Sequence, residues 1–474
     1  MLIPLISMKE HKNINTKYVL FLALVSAMGG LLFGYDWVVI GGAKPFYERF
    51  FGITSSPLFQ GFAMSSALFG CLIGAASAGY ITDKYGRKIP LLFSAFLFIF
   101  TSLGTGAFNS FTPFIIFRVL GGIGIGIASN VSPVYIAEIA PAHMRGKLVA
   151  INQLTIAFGV LAAQLTNMLI ADPVPVGASD VMIAGSWNGQ MGWRWMFWAC
   201  SIPATMFFIL MWLIPESPRW LAKAGKGDKA LRIFERIGGI EYAKLETKEV
   251  LKTLDSAETV EKEKVTKLFS KQLAPIIMLG IILAVFQQWC GINVIFNYAE
   301  EIFSAAGYGI SSTLFNIVLT GSVSLIFTII AMFMVDRWGR KALMLTGAGG
   351  LSIVYIIIAA GYFLQMKGFF MLFWVVTAIS IYALTLAPIT WVLLSEIFPN
   401  KVRGKAMSVA TFALWLSCAI LTISFPFLNK AFGASGTFAV YAIICITGFF
   451  YILRKLPETK GKSLEQIERE LTGD

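Results

Sequence analysis

Asp36 and Arg118 are charges set inside apolar runs, the first in Phe33-Gly34-Tyr35-Asp36 and the second within 113–137. A charge at membrane depth needs a partner or a water-filled cavity. If the first run crosses outward and the fourth inward, the two charges fall at similar depth and can pair. A structural salt bridge and a working acid–base pair both fit that placement. Amides form a second set. Gln153 and Gln164, eleven residues apart, lie within about 20° of one another on a helix, with Asn167 near the same stripe. Gln287, Gln288 and Asn293 share a later run, where Gln288 and Asn293 would point roughly 140° apart on an ideal helix. They can line one cavity if that helix breaks near Gly291, as discontinuous transporter helices do. Phe33 lies one turn from Gly29, and Trp391 (after Pro388) and Trp415 sit well inside their runs rather than at interfacial anchor positions. Helix–helix hydrogen bonding or packing is the simpler role for any one of these residues, and it is the role expected of Gln164 and Asn167.

Other chemistries find no residues to carry them. His11 and His143 are isolated, and Cys71, Cys200, Cys290, Cys418 and Cys445 stand singly in apolar runs. Neither set has metal-ligand spacing, so no metal is expected and the cysteines read as reduced core thiols. Gly121-Gly-Ile-Gly-Ile-Gly126 does not match a dinucleotide loop; with Gly70-x-x-x-Gly74 it reads as close helix packing. The sequence has no Walker lysine pattern, nucleophile–base pair or cofactor loop. That argues against an ATP-driven pump and against an enzyme, and no cofactor is expected.

The elements that must position these residues follow from composition. Of 474 residues, 57% are hydrophobic and 14% charged, and the mean hydropathy is +0.74. A soluble chain carries about a quarter charged residues. Apolar runs near 18–40, 60–82, 90–108, 113–137, 149–171, 192–214, 273–297, 314–334, 343–363, 370–394, 406–428 and 436–455 are each close to the roughly 20 residues needed to cross a bilayer. The first run is long and glycine-rich and carries Asp36, so it does not read as a cleavable signal. Residues 216–272 break the pattern with 13 Lys/Arg and 10 Asp/Glu. They read as a cytosolic linker of short amphipathic helices. With the N-terminus inside, 32 of the 38 Lys/Arg residues fall on cytosolic segments, and only Lys44, Arg49, Lys367 and Lys430 on outer loops. The net charge of +12 is therefore a topology signal, not a sign of nucleic-acid binding.

Internal repetition divides the runs into two halves. Asp83-Lys-Tyr-Gly-Arg-Lys88 recurs as Asp336-Arg-Trp-Gly-Arg-Lys341. Glu138-Ile-Ala-Pro-(x)3-Arg-Gly-Lys147 recurs as Glu396-Ile-Phe-Pro-(x)3-Arg-Gly-Lys405, and Pro215-Glu216-Ser217 as Pro457-Glu458-Thr459. Every copy falls at a cytosolic span end. Two halves of the same topology with a site at their interface are the architecture of secondary transporters. Gly86 and Gly339 permit tight turns. Asp83, Arg87, Glu138, Arg145 and Glu216, with Asp336, Arg340, Glu396 and Arg403, are expected to pair across the two halves and to gate the cytosolic face.

These motifs, together with Gly192-Trp-Arg194, Pro215-Glu-Ser-Pro-Arg219, Gln287-Gln288 before Gly291-Ile-Asn293 and Pro457-Glu-Thr-Lys-Gly461, resemble the sugar porter branch of the major facilitator superfamily. The likeness covers nearly the whole chain and is nearest to bacterial pentose– and hexose–proton symporters of the D-xylose type; Met1 to Ser7 fall outside it, and Met8 offers an alternative start. The resemblance implies an all-α membrane fold of twelve helices in two pseudo-symmetric halves. The segments are an N-terminal piece 1–17, a half 18–214, a linker 215–272, a half 273–455 and a tail 456–474. It implies sugar transport by alternating access, with Asp36 and Arg118 as a proton-coupling pair. Phe33, Gln153, Gln287, Gln288, Asn293, Trp391 and Trp415 stand at its sugar-binding positions. In such a site amides replace the hydration of sugar hydroxyls, and aromatic faces take ring C–H groups. Asn297 stands where many members have Tyr, Ser324 where Asn is common, and Ala387 for a frequent Gly. Leu414 and Cys418 occupy positions that are usually polar. A less polar second-half wall favours a pentose. The expectation is a monomeric, multi-pass bacterial inner-membrane protein with cytosolic termini. Its partners are a monosaccharide, a proton and membrane lipid. A uniporter is the alternative, and a sugar sensor a more distant one, because the tails are short.

Overall fold

Hydrocarbon offers no water to backbone N–H and C=O groups, so each apolar run must satisfy its own, and a helix does so within one segment. The computed structural model describes residues 14–141, 143–258, 273–398 and 402–460, with backbone alone at 249, 251–258, 335, 336, 403 and 404. In the first half, spans 1 to 5 are Thr16–Phe50, Pro57–Tyr85, Lys88–Ala107, Phe111–Ile139 and Arg145–Ile170. Span 6 is Asn188–Leu213 and opens on a π-helical turn, Asn188–Gly192. In the second half, spans 7 to 10 are Ala274–Asn297, Ile310–Trp338, Arg340–Phe363 and Phe369–Ile397. The last helix, Arg403–Lys455, breaks at Gly433 (φ 65°) and holds spans 11 and 12. The twelve expected spans are thus present among the described residues.

Two spans are broken where side chains must be aimed. Span 7 stops at Trp289, turns through Gly291 in the left-handed region (φ 88°, ψ −6°) and restarts as Ile292–Asn297. This is the break expected near Gly291, and a side chain at 291 would be strained. Span 10 breaks at Thr385 (φ −121°, ψ −83°), a break not foreseen. Pro388 supplies the reason, since it has no N–H to return to the carbonyl of Leu384. Span 1 also departs from expectation. It runs to Phe50 rather than ending near 40, so Lys44 and Arg49 belong to a helix and not to a loop. Lys44 is buried, and its charge is met by Glu48 one turn on, Nζ to Oε2 3.0 Å.

Glycines let spans 2 and 4 meet backbone to backbone. A Cβ on Gly122 would overlap the carbonyl of Ala67, and one on Gly70 the carbonyl of Val119. Gly74 and Gly126 repeat the contact one turn away, as the sequence led us to expect. Gly122→Val is expected to cost about 3 kcal/mol, because the obstacle is backbone and cannot rotate away. Gly79→Ala, with nothing within 4 Å of its Cβ, is the control. Thermal melting in detergent should separate the two, and equal melting temperatures would refute the packing account.

Between the halves lie the helices Pro218–Lys223 and Gly227–Glu258. They lie against the side of the first half that carries the N-terminal end of span 1. The Asn15 amide donates to the carbonyl of Ile237 (2.8 Å), and the Trp220 indole to that of Asp83 (3.0 Å). We call this the linker side and the opposite one the far side.

Candidate functional site

The charges of spans 1 and 4 do meet. Arg118 Nη1 donates to both oxygens of Asp36, at 2.7 and 2.9 Å, and both residues are buried. The guanidinium also lies 5.5 Å from the centroid of the Phe197 ring. Its Nε is buried without a partner among the described residues. The pair faces a cavity of about 10 Å³, room for about one water, which Trp37 and Asn297 also line. Such a pair can store a charge difference.

The amides of span 7 converge because of the Gly291 turn. Gln288 donates to Gln287 Oε1 (2.7 Å), and Asn293 Nδ2 donates to Gln288 Oε1. The same Nδ2 lies 3.7 Å from Cys418 Sγ of span 11. All three amides are buried, as is Asn297, whose Oδ1 has no partner among the described residues. Aromatic surface closes the gap to the first half, with Phe33 and Trp415 5.7 Å apart between centroids. Trp391 is 36% exposed and outside this ring cluster. Ser324 is half-buried on span 8, where its backbone carbonyl accepts from the Thr328 hydroxyl. Gln164 is buried on span 5, packed onto Gly321 of span 8, with both amide atoms unpartnered among the described residues. Its stripe therefore faces the second half, and half-buried Gln153 lies on the same stripe three turns nearer the linker side. Asn167 donates to the carbonyl of Val39 (3.0 Å), the helix–helix bond expected of it.

In this conformation the ion pairs of Arg87 with Glu138 and of Arg340 with Glu396 lie within each half, among the described residues. Arg87 Nη2 meets Glu138 Oε1 at 2.8 Å, and Ser217 donates to the other Glu138 oxygen. Glu216 accepts from the backbone N–H of Arg87 (2.8 Å) and Lys88 (3.1 Å), an approach that Gly86 (φ 86°) leaves open. The second half repeats the arrangement. Arg340 Nη2 meets Glu396 Oε1 at 3.1 Å, Thr459 donates to Glu396 Oε2 (2.6 Å), and Glu458 sits against Gly339 (φ 88°). Burial raises the Glu458 carboxyl, but backbone N–H donors from Lys460, Arg340, Lys341 and Thr459 outweigh it and hold the group below its ordinary value. The reason for local pairing is reach: each Arg starts a span whose neighbour in the same half ends on the Glu. Asp83 is exposed and lies 3.8 Å from Lys223 of the linker. Arg145 is half-buried, its Nε unpartnered among the described residues. The side chains of Asp336 and Arg403 lie outside the described residues.

Among the described residues, ion pairs between the halves gather on the far side, where the sequence reading placed loops. Lys44 of span 1 lies 2.5 Å from Glu301 and 3.6 Å from Glu300, both just beyond span 7. Arg49 joins Glu300 (3.0 Å) to Asp180 (2.8 Å), and the Val174 amide donates to Ser311 (2.8 Å). A hydropathy window takes no account of charge neutralisation, so it missed this set. Trp37 was missed too, although its place one turn from Phe33 was a usable signal.

Two repeated six-span halves, joined on the far side, with a buried acid–base pair inside the first and an amide–aromatic cluster where they meet, define a secondary transporter of the major facilitator fold. The chain belongs to the sugar (and other) transporter family, whose profile matches residues 22–471. It is 35% identical to the D-xylose-proton symporter of Escherichia coli (strain K12), over 96% of each chain. It is also 35% identical to the arabinose-proton symporter of Bacillus subtilis (strain 168), over 95% of each. Among solved structures it resembles the inward-open conformation of the xylose transporter XylE from E. coli, with a TM-score of 0.83, 34% identity and coverage of 96% of this chain and 100% of that one.

Proposed function

We propose that this protein imports a monosaccharide, a pentose such as D-xylose in preference to a hexose, by proton symport with alternating access. The buried Asp36–Arg118 pair, one turn from the aromatic wall that joins the halves, carries this reading. The relatives that transport pentoses with protons support it. Phe33 and Trp415, with Trp391 on span 10, take the sugar's C–H faces. Gln153 of the first half and Gln287, Gln288 and Asn293 of the second take its hydroxyls, with Asn297 and Ser324 at the margin. Leu414 and Cys418 are buried and apolar or nearly so, and Ala387 adds a methyl group. Each hydrogen bond they withhold is worth about 1 kcal/mol, which counts most against the hydroxyl that a hexose adds. The motif networks hold each half rigid at the linker side while the halves rock. That side is the cytosol, in a bacterial inner membrane, and the protein works as a monomer.

The test is external pH in energy-depleted cells given one sugar at a time: xylose, arabinose, glucose, galactose, fructose or inositol. Alkalinisation with xylose, lost in Asp36→Asn, is the expected result. Labelled uptake with no pH change would make the protein a facilitator and the charge pair structural. Alkalinisation with a hexose alone would overturn the pentose assignment.

A further inference from the structure

Trp37 touches both parts of the site. Its ring centroid lies 5.8 Å from that of Phe33 on its own span and 5.9 Å from that of Trp415 on span 11, so three rings make one contact set across the halves. Edge-to-face and tilted contacts of this kind hold aromatic rings in preferred orientations. Trp37 also follows Asp36 in the chain and lines the small cavity of the Asp36–Arg118 pair, together with Asn297 of span 7 and Cys71 of span 2. With space for about one water beside the carboxylate, and with the Asp36 side chain only 11% exposed, a modest shift of the indole changes how much water Asp36 meets. Trp37 is only half-buried, so that shift is open to it.

We infer that Trp37 is a positioning residue that couples sugar binding to the proton pair: sugar held against Phe33 and Trp415 fixes the indole, and the indole sets the access of water to Asp36. This rests on the symport reading above. A packing role alone would lower every transport mode together, whereas a coupling role changes the number of protons moved per sugar.

Proteoliposomes loaded with a pH-sensitive dye and given labelled D-xylose measure both quantities. Trp37→Ala is expected to lower the ratio of sugar-dependent proton uptake to xylose uptake below the wild-type value and to admit a proton leak without sugar. Trp37→Phe, which keeps a ring at the contact, is expected to restore most of the ratio. An unchanged ratio in Trp37→Ala overturns the assignment. So does a parallel loss of exchange and proton uptake that Trp37→Phe shares, since that pattern belongs to packing. Xylose exchange by the wild type with no proton movement overturns the symport reading and this inference with it. A coupled wild type beside an equally coupled Trp37→Ala overturns this inference alone.

Discussion

Proteoliposomes carrying Asp36→Asn are expected to exchange labelled sugar but not to concentrate it. The amide keeps an oxygen for Arg118, which now holds Asp36 at 2.7 and 2.9 Å, so the local geometry has a neutral substitute for the carboxylate. Under the proposed role of Asp36, the substitute cannot take up or release the proton that ties sugar movement to the membrane potential. One proton crossing 100 mV supplies about 2.3 kcal/mol, which corresponds to a sugar gradient of roughly 50-fold. In the variant that gradient falls to unity at any potential. Removing the other partner is a different experiment. Arg118→Leu leaves Asp36 buried and unpaired, at a cost of about 3–5 kcal/mol while it stays ionised. Accumulation is expected to be lost there too, together with part of the stability. Full accumulation by Asp36→Asn would remove the pair from the coupling mechanism.

The residues that could be placed from sequence are those whose physics is local or repeated. The Gly70/Gly74 and Gly122/Gly126 contacts follow from small residues spaced one turn apart. The Gly291 break is a condition under which Gln288 and Asn293 can share a cavity, and it is there. The meeting of Asp36 and Arg118 follows from depth and direction, once each charge is required to have a partner. What stayed hidden depended on partners distant in the chain. Nothing near Lys44 announces Glu300 and Glu301, some 250 residues away, so its run appeared to end before it. The repeated acids and bases at the linker side were legible as motifs, but the choice between pairing within and across halves is set by which span ends adjoin. Trp37 stands one turn from Phe33, but its contact with Trp415 of span 11 depends on a partner some 380 residues away.

Lys44→Met is expected to open the far side. Lys44 Nζ faces three carboxylates: Glu48 on its own helix, and Glu300 and Glu301 from the second half. Its side chain is 2% exposed and that of Glu48 3%, so water screens this contact little. Removing one partner of a buried ion pair costs about 3–5 kcal/mol, because the remaining charge stays buried. That cost falls mainly on the state in which the halves are joined here, since separation returns Glu300 and Glu301 to water. The balance should move toward the far-side-open state by about two orders of magnitude. Asp180→Asn is the contrast: its pair with Arg49 involves an Asp180 side chain that is 63% exposed, and is worth roughly 0–1 kcal/mol. Cysteines at Val174 and Ser311, whose backbone N–H and hydroxyl meet at 2.8 Å, report the closure directly. The disulfide should form readily in an otherwise unaltered chain, poorly with Lys44→Met, and again when Glu301→Gln is added to remove the surplus charge. Restoration by Glu301→Gln separates loss of closure from loss of fold. An undiminished disulfide yield in Lys44→Met would show that closure rests on the helix contacts of Gly41 with Phe296 and Gly61 with Ile423, and not on charge.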